Sequence, residues 1–346
     1  MLNLIKPERL RPGDKIAAVS LSWGGAGDPD LIWRYQLGKE RLKTEFGLEV
    51  VEMENTLKGS GFLYEHPEKR AADLMEAFRD PSIKGIFSCI GGEDSIRMLP
   101  YIDFETIRGN PKIFLGYSDS TVTHFMCMKG RLSSFYGPSI LAEFAENNGI
   151  FEYTANWIRR MLFDASPAGS ADPAEYWTGE RLEWTADNRH IDKKMERNGG
   201  YEFLQGRGKI RGRLTGGCME VMEMIKCTEL WPDIELFNDA ILFLETSEDM
   251  PEPAYIGRWL RNYGVQGILG RLSALVWGKP YQGKYYEEYK EMILKVVVHE
   301  MGLYDLPIVY NMSFGHNEPM MCLPYGRMAE ADCDRQTFAI LESGVV

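Results

Sequence analysis

The chain has 346 residues, is 44% hydrophobic, 26% charged and 12% aromatic, and carries a formal net charge of −12. That length suffices for two cores, and the negative balance argues against nucleic acid or an anionic membrane surface as a partner. No apolar run approaches a membrane span, the N-terminus lacks a signal-peptide core, and the six cysteines form no C-x-x-C pair, so a cytoplasmic protein with reduced thiols is expected.

Lys15–Leu21 reads as a first strand, followed by the Gly-rich loop Trp23–Gly27, which lacks both the lysine of a phosphate-binding loop and dinucleotide-loop spacing. A helix over about Pro29–Glu45, a strand at Glu49–Met53 and a helix opened by Pro67 over Glu68–Arg79 come next. The strand Gly85–Ile90 ends in Gly91-Gly92-Glu93-Asp94 and leads into Ser95–Leu99. Ile113-Phe114-Leu115 forms a further buried strand. The turn Gly116–Ser120 then opens a helix with Val122, Phe125 and Met126 on one face, and a short strand follows near Ser134–Tyr136. Alternating strands and helices joined by short links predict a parallel, helix-covered sheet, whose ligands sit beyond the carboxyl ends of the strands. Gly91-Gly92 and Ser118 both fall at such ends, although the glycine pair also suits an ordinary tight turn.

Asp164–Gly200 is polar, rich in turn formers and without a sustained period, which marks a linker or long loop. Trp177 and Trp184 within it suggest a flap over a crevice, or two indoles packed onto the body, because flexible linkers seldom carry large aromatics. The predicted organisation is therefore an N-terminal unit over 1–165, a flap and linker over 166–200, and a C-terminal unit over 201–346. In the last unit Gly212–Cys218 leads into the helix Met219–Ile225, and the strand Ala240–Leu244 ends at Glu245. The helix Ala254–Tyr263, the strand Ser273–Trp277 and the helix Glu287–His299 follow. The strand Leu306–Tyr310 then runs into a loop holding Gly315-His316-Asn317, and Arg327–Asp332 and Gln336–Leu341 close the chain as strands.

A strand, sharp turn and helix are what a nucleophile elbow requires, with small residues two positions either side of the serine. Gly116 and Ser120 meet that need around Ser118, and the turn also offers backbone N–H groups at a helix N-terminus. Ser118, Asp119 or Ser120 serves equally as a plain helix cap. Of the five histidines, His66 precedes a helix, His190 lies in the polar segment and His124 falls inside the elbow helix. His299-Glu300 begins a zinc motif that Leu303 breaks, and no metal-spaced cluster is present. His316 is the best placed general base, and Glu245, at the end of an apolar strand, is a carboxylate that must be paired and suits the role of orienting that base.

Several segments together resemble the serine peptidases of the LD-carboxypeptidase and microcin C immunity family. They are Ile90-Gly91-Gly92, Leu99-Pro100-Tyr101-Ile102-Asp103, Gly116-Tyr117-Ser118-Asp119-Ser120-Thr121, Gly216-Gly217-Cys218, Leu242-Phe243-Leu244-Glu245, Gly315-His316 and Leu323-Pro324-Tyr325-Gly326, spread in order over nearly the whole chain. The resemblance implies an α/β protein. Its N-terminal domain would be Rossmann-like (flavodoxin- or glutamine-amidotransferase-like), joined to a smaller β-rich C-terminal domain. It also implies a triad of Ser118, Glu245 and His316, a metal-free and cofactor-free enzyme, a homodimer, and cleavage of an amide next to a free carboxylate. The backbone of Gly92 and Asp119 would form the oxyanion hole, with Gly91, Trp177 and Trp184 as substrate-binding candidates. Asn317 departs from the threonine common after that histidine. The long Trp-containing segment and Glu245-Thr246-Ser247-Glu248 are closer to the immunity branch, which acts on aminoacyl nucleotides, than to murein LD-carboxypeptidases. A catalytically inactive binding protein on the same scaffold and a metal-assisted amidohydrolase are the contrasting classes.

Overall fold

A computed structural model describes residues 4–346. The first sheet has six strands in the order Leu323–Pro324, Phe135–Tyr136, Ile113–Gly116, Ile83–Ser88, Lys15–Val19, Glu49–Glu52. Its five N-terminal strands are parallel, as crossovers through the helices Ile32–Phe46 and Pro67–Arg79 require. Leu323–Pro324, from the far end of the chain, adds antiparallel to Phe135–Tyr136.

The second sheet has eight strands, ordered Gly169–Ser170, Thr337–Ile340, Met328–Asp332, Lys209–Cys218, Ala240–Glu245, Ala274–Gly278, Ile308–Met312, Glu202–Gln205. The four strands from Lys209–Cys218 to Ile308–Met312 run parallel, and those outside them pair antiparallel. The chain is thus an α/β protein with a parallel-sheet N-terminal domain and a β-rich C-terminal domain. Ala240–Glu245 and Ala274–Gly278 are buried at every position, the mark of strands covered on both faces. Among the described residues no helix is long and apolar enough to cross a membrane.

Three expectations change. The elbow helix, Ser120–Lys129, is buried at every position from Ser120 to Met128, not along one stripe. It lies between the two domains, where the Thr121 hydroxyl accepts the Cys218 N–H (3.1 Å) and Phe125 meets Tyr325 edge-on. The segment after Asp164 is no free linker. Tyr176–Trp177 pairs with Glu196–Arg197, Thr178 and Glu318 exchange backbone hydrogen bonds, and Lys193 is ion-paired with both Glu146 and Glu318. Finally, Glu202–Gln205 is an additional edge strand, half-buried at all four positions and so without the alternation that announces one. Of the cysteines, Cys89, Cys127, Cys218 and Cys322 are buried as expected, whereas Cys227 is exposed and Cys333 half-buried.

Candidate active site

Ser118 follows the strand Ile113–Gly116 with φ +60°, a left-handed conformation that a non-glycine residue adopts at a cost of about 1–2 kcal/mol. The surroundings fix it. Its backbone N–H donates to the Tyr136 hydroxyl (3.2 Å), and a Cβ on Gly91 would stand 2.9 Å from the Ser118 Cβ, so only glycine lets that loop pass. His124 sits beneath the turn, fully buried, with Nε2 2.9 Å from the Gly116 carbonyl and Nδ1 2.8 Å from the Ser134 hydroxyl. Burial drives its pKa down to about 3, which leaves it a neutral structural group.

The helix-cap reading of this turn does not hold for the side chains. Asp119 occupies the cap position, yet its carboxylate makes no cap bond and instead accepts the Ser95 N–H (2.9 Å), tying the turn to the segment after Gly91-Gly92. Burial raises its pKa. The backbone N–H groups of Asp119 and Gly92 have no acceptor among the described residues. The Gly91–Asp94 loop is itself held from below by the buried Arg70. Its guanidinium donates to Asp94 at 2.6 and 3.2 Å and to the carbonyls of Leu21 and Ser22.

Glu245 ends its strand fully buried. One oxygen accepts the Tyr136 hydroxyl (2.5 Å), and the other lies 2.7 Å from Nδ1 of His316. His316 stands in the loop after Ile308–Met312. There Gly315 has φ +97°, and a Cβ at that position would lie 2.7 Å from the same Glu245 oxygen. Asn317 fastens this loop by donating to the Lys279 and Pro280 carbonyls (2.8 and 3.0 Å) and accepting the Gln282 N–H (3.0 Å), which a threonine is too short to do in full. Nε2 of His316 is buried without a hydrogen-bond partner, although a Glu248 oxygen lies 3.2 Å away. Burial disfavours the charged ring, but Glu245, Glu248 and Glu220 outweigh it and hold the pKa up at about 9.

Ser118, His316, Gly91, Gly92, Trp184 and Glu248 all line one cleft of about 640 Å³. Trp184 has the Arg34 guanidinium 4.5 Å from its ring centre and lies beside Trp23, an indole that sequence reasoning left in a plain loop. Trp177 does not reach the cleft; its ring lies against the Lys279 ammonium (4.2 Å). Tyr136 was also missed, because nothing in a two-residue strand announces that its hydroxyl joins Ser118 to Glu245. The remaining histidines stay apart from the cleft. His66 pairs with Glu68, His190 and His299 are exposed, and Glu300 is ion-paired with Arg261. Among the described residues no group of three or more His, Cys, Asp or Glu is placed to hold a metal ion.

Two family profiles, described as the LD-carboxypeptidase N-terminal and C-terminal domains, match residues 16–137 and 211–331, and the chain belongs to this family, peptidase S66. It is similar to the microcin C7 self-immunity protein MccF of Escherichia coli, 28% identical over 316 residues that cover 89% of this chain and 88% of that protein. A Bacillus subtilis relative named "Probable murein peptide carboxypeptidase" is 25% identical, over 98% of this chain and 95% of its own. Among solved structures, an MccF-like protein from Streptococcus pneumoniae in complex with AMP superposes with a TM-score of 0.88 at 32% identity, covering 94% of this chain and 98% of that one. MccF in complex with aspartyl sulfamoyl adenosine gives a TM-score of 0.85 at 28% identity over 99% and 100%.

Proposed function

We propose that this protein is a serine peptidase that cleaves an amide in a small aminoacyl-nucleotide substrate, with Ser118 as nucleophile, His316 as general base and Glu245 as the group that orients it. The observation that carries the reading is the Glu245–His316 hydrogen bond (2.7 Å), which leaves Nε2 unpartnered in the cleft that the strained Ser118 lines. In this mechanism Ser118 Oγ attacks the amide carbonyl as Nε2 takes its proton. The N–H groups of Asp119 and Gly92 receive the developing oxyanion, and His316 then returns the proton to the leaving nitrogen. Water hydrolyses the acyl-serine by the same exchange in reverse order. Gly91 contributes by its lack of a side chain, which lets substrate and loop approach Ser118 closely.

The nucleotide preference rests on Trp184 and Trp23 in the cleft and on the AMP and aspartyl sulfamoyl adenosine complexes of similar proteins. A base stacked on one indole gains about 1–3 kcal/mol. Cleavage of a murein tetrapeptide at its LD bond is the second reading, favoured by the Bacillus relative's name. Product analysis by mass spectrometry on aspartyl- and glutamyl-sulfamoyl adenosine and on a murein tetrapeptide separates the two. Ser118→Ala and His316→Ala should each lower kcat about 10⁴- to 10⁶-fold on the true substrate. Near-normal turnover by Ser118→Ala refutes the assignment. A homodimer is part of the same proposal, and sedimentation equilibrium tests it.

A further inference from the structure

Three carboxylates, Glu245, Glu220 and Glu248, act on His316 electrostatically, and two of them are occupied. Glu245 is divided between Nδ1 of His316 and the Tyr136 hydroxyl. One oxygen of Glu220 accepts both the backbone N–H and the hydroxyl of Ser247, each at 2.8 Å. Glu248 is different. Its side chain is 46% exposed, it lines the cleft, and its only ion-pair contacts among the described residues are Nε2 of His316 at 3.2 Å and the Arg181 guanidinium at 4.0 Å. Neither contact is a hydrogen bond, so a carboxylate with open acceptor positions faces the cleft beside His316.

The residue is also presented rigidly. The two Glu220 bonds pin Ser247, whose hydroxyl accepts the Asp249 N–H (3.2 Å) and whose carbonyl accepts the Met250 N–H (3.2 Å). Glu248 thus projects from a fixed turn that directly follows the strand carrying Glu245. A substrate carboxylate brought to this side of Ser118 would meet Glu248 head-on, whereas an ammonium would find an acceptor already in place. Burial of the surrounding cleft walls strengthens that preference over what an open surface pair gives.

We infer that Glu248 is a specificity-determining residue that holds a cationic ammonium group of the substrate beside the scissile carbonyl, so that the preferred substrates carry a free α-amino group on the acyl side. The inference rests on the proposed reading of Ser118 and His316 as the reacting pair, but its test does not need turnover. Binding is measured by calorimetry on the full chain carrying Ser118→Ala, with aspartyl sulfamoyl adenosine and its N-acetyl derivative as probes. A charge-assisted hydrogen bond in such a cleft predicts about tenfold tighter binding of the free amine. Adding Glu248→Gln should remove that advantage by weakening the amine form alone, leaving the N-acetyl form where it was. Equal binding of the two forms by the Ser118→Ala protein overturns the inference. So does a preference that survives Glu248→Gln, or a failure to bind either probe. Failure of the underlying reading is seen separately, as hydrolysis of the free amine that Ser118→Ala leaves unchanged.

Discussion

Replacing Tyr136 by Phe removes a single oxygen that joins both halves of the site. That hydroxyl accepts the Ser118 N–H at 3.2 Å and donates to Glu245 at 2.5 Å, and the ring around it is fully buried. The variant therefore leaves a half-buried donor without an acceptor, at about 1 kcal/mol, and strips one bond from a buried carboxylate, a charged hydrogen bond of about 1.5–3 kcal/mol. The two effects share one atom and do not add in full, so a net loss of about 3 kcal/mol in unfolding free energy is expected. Urea unfolding should show it as a lower midpoint at unchanged slope. Because Glu245 loses one of the two bonds that fix its plane, and with it the aim of His316, kcat should fall about 10- to 100-fold while KM moves little. A variant within about 0.5 kcal/mol of wild type and within twofold in kcat would refute the coupling of elbow and carboxylate through Tyr136.

The proton on His316 sets the pH dependence. With its pKa raised to about 9, the neutral base accumulates only as pH rises, so kcat/KM should climb through a limb near 9 and lack the usual plateau at neutral pH. The sign for stability is opposite. The raised pKa contributes stability that is complete below about 6.5, the unfolded value, and is lost as pH approaches 9, so His316→Asn should flatten the unfolding profile over that window. Trp184→Ala should raise KM for a nucleotide-linked substrate about 5- to 150-fold, whereas Trp177→Ala, remote from the cleft, should leave it unchanged; the reverse pattern would reassign the stacking surface. Asp94→Asn should loosen the Gly91–Asp94 loop over a buried Arg70. The melting temperature then drops and kcat falls about 100-fold with KM retained, and steady-state kinetics on a still-folded variant provides the check.

What the sequence discloses depends on the range of the interaction concerned. The buried parallel strands were legible because continuous apolar runs such as Ile241–Leu244 have few other folds open to them, and Met219–Ile225 lies where its apolar pattern put it. Ser118, Glu245 and His316 carried local features, namely an elbow, a strand end and a shaped loop; Ser118 and His316 line one cleft although their strands belong to different sheets, and Glu245 bonds His316. Tyr136 and Arg70 carried no such mark; each acts through partners far along the chain. The contrast between Trp184 and Trp177 was hidden for the same reason. Trp177 sits in a paired strand against Lys279, whereas Trp184 lies in the connection between the two paired segments and lines the cleft. The elbow helix misled by its apolar stripe, since a stripe predicts one buried face and says nothing of a second domain covering the other.

The antiparallel addition of Leu323–Pro324 to Phe135–Tyr136 bears on when the protein can act as it is being made. Translation proceeds from the N-terminus, so the sheet carrying Ser118 emerges early but lacks that edge strand until residues 323–324 have left the ribosome. Tyr136, on the strand awaiting its neighbour, is also the residue that connects Ser118 to Glu245. The closing contact joins segments far apart in sequence, which makes it slow to form. On the proposed reading, a nascent chain therefore carries Ser118 with neither His316 nor Glu245 beside it, and hydrolytic competence would arrive late, as the last strands dock.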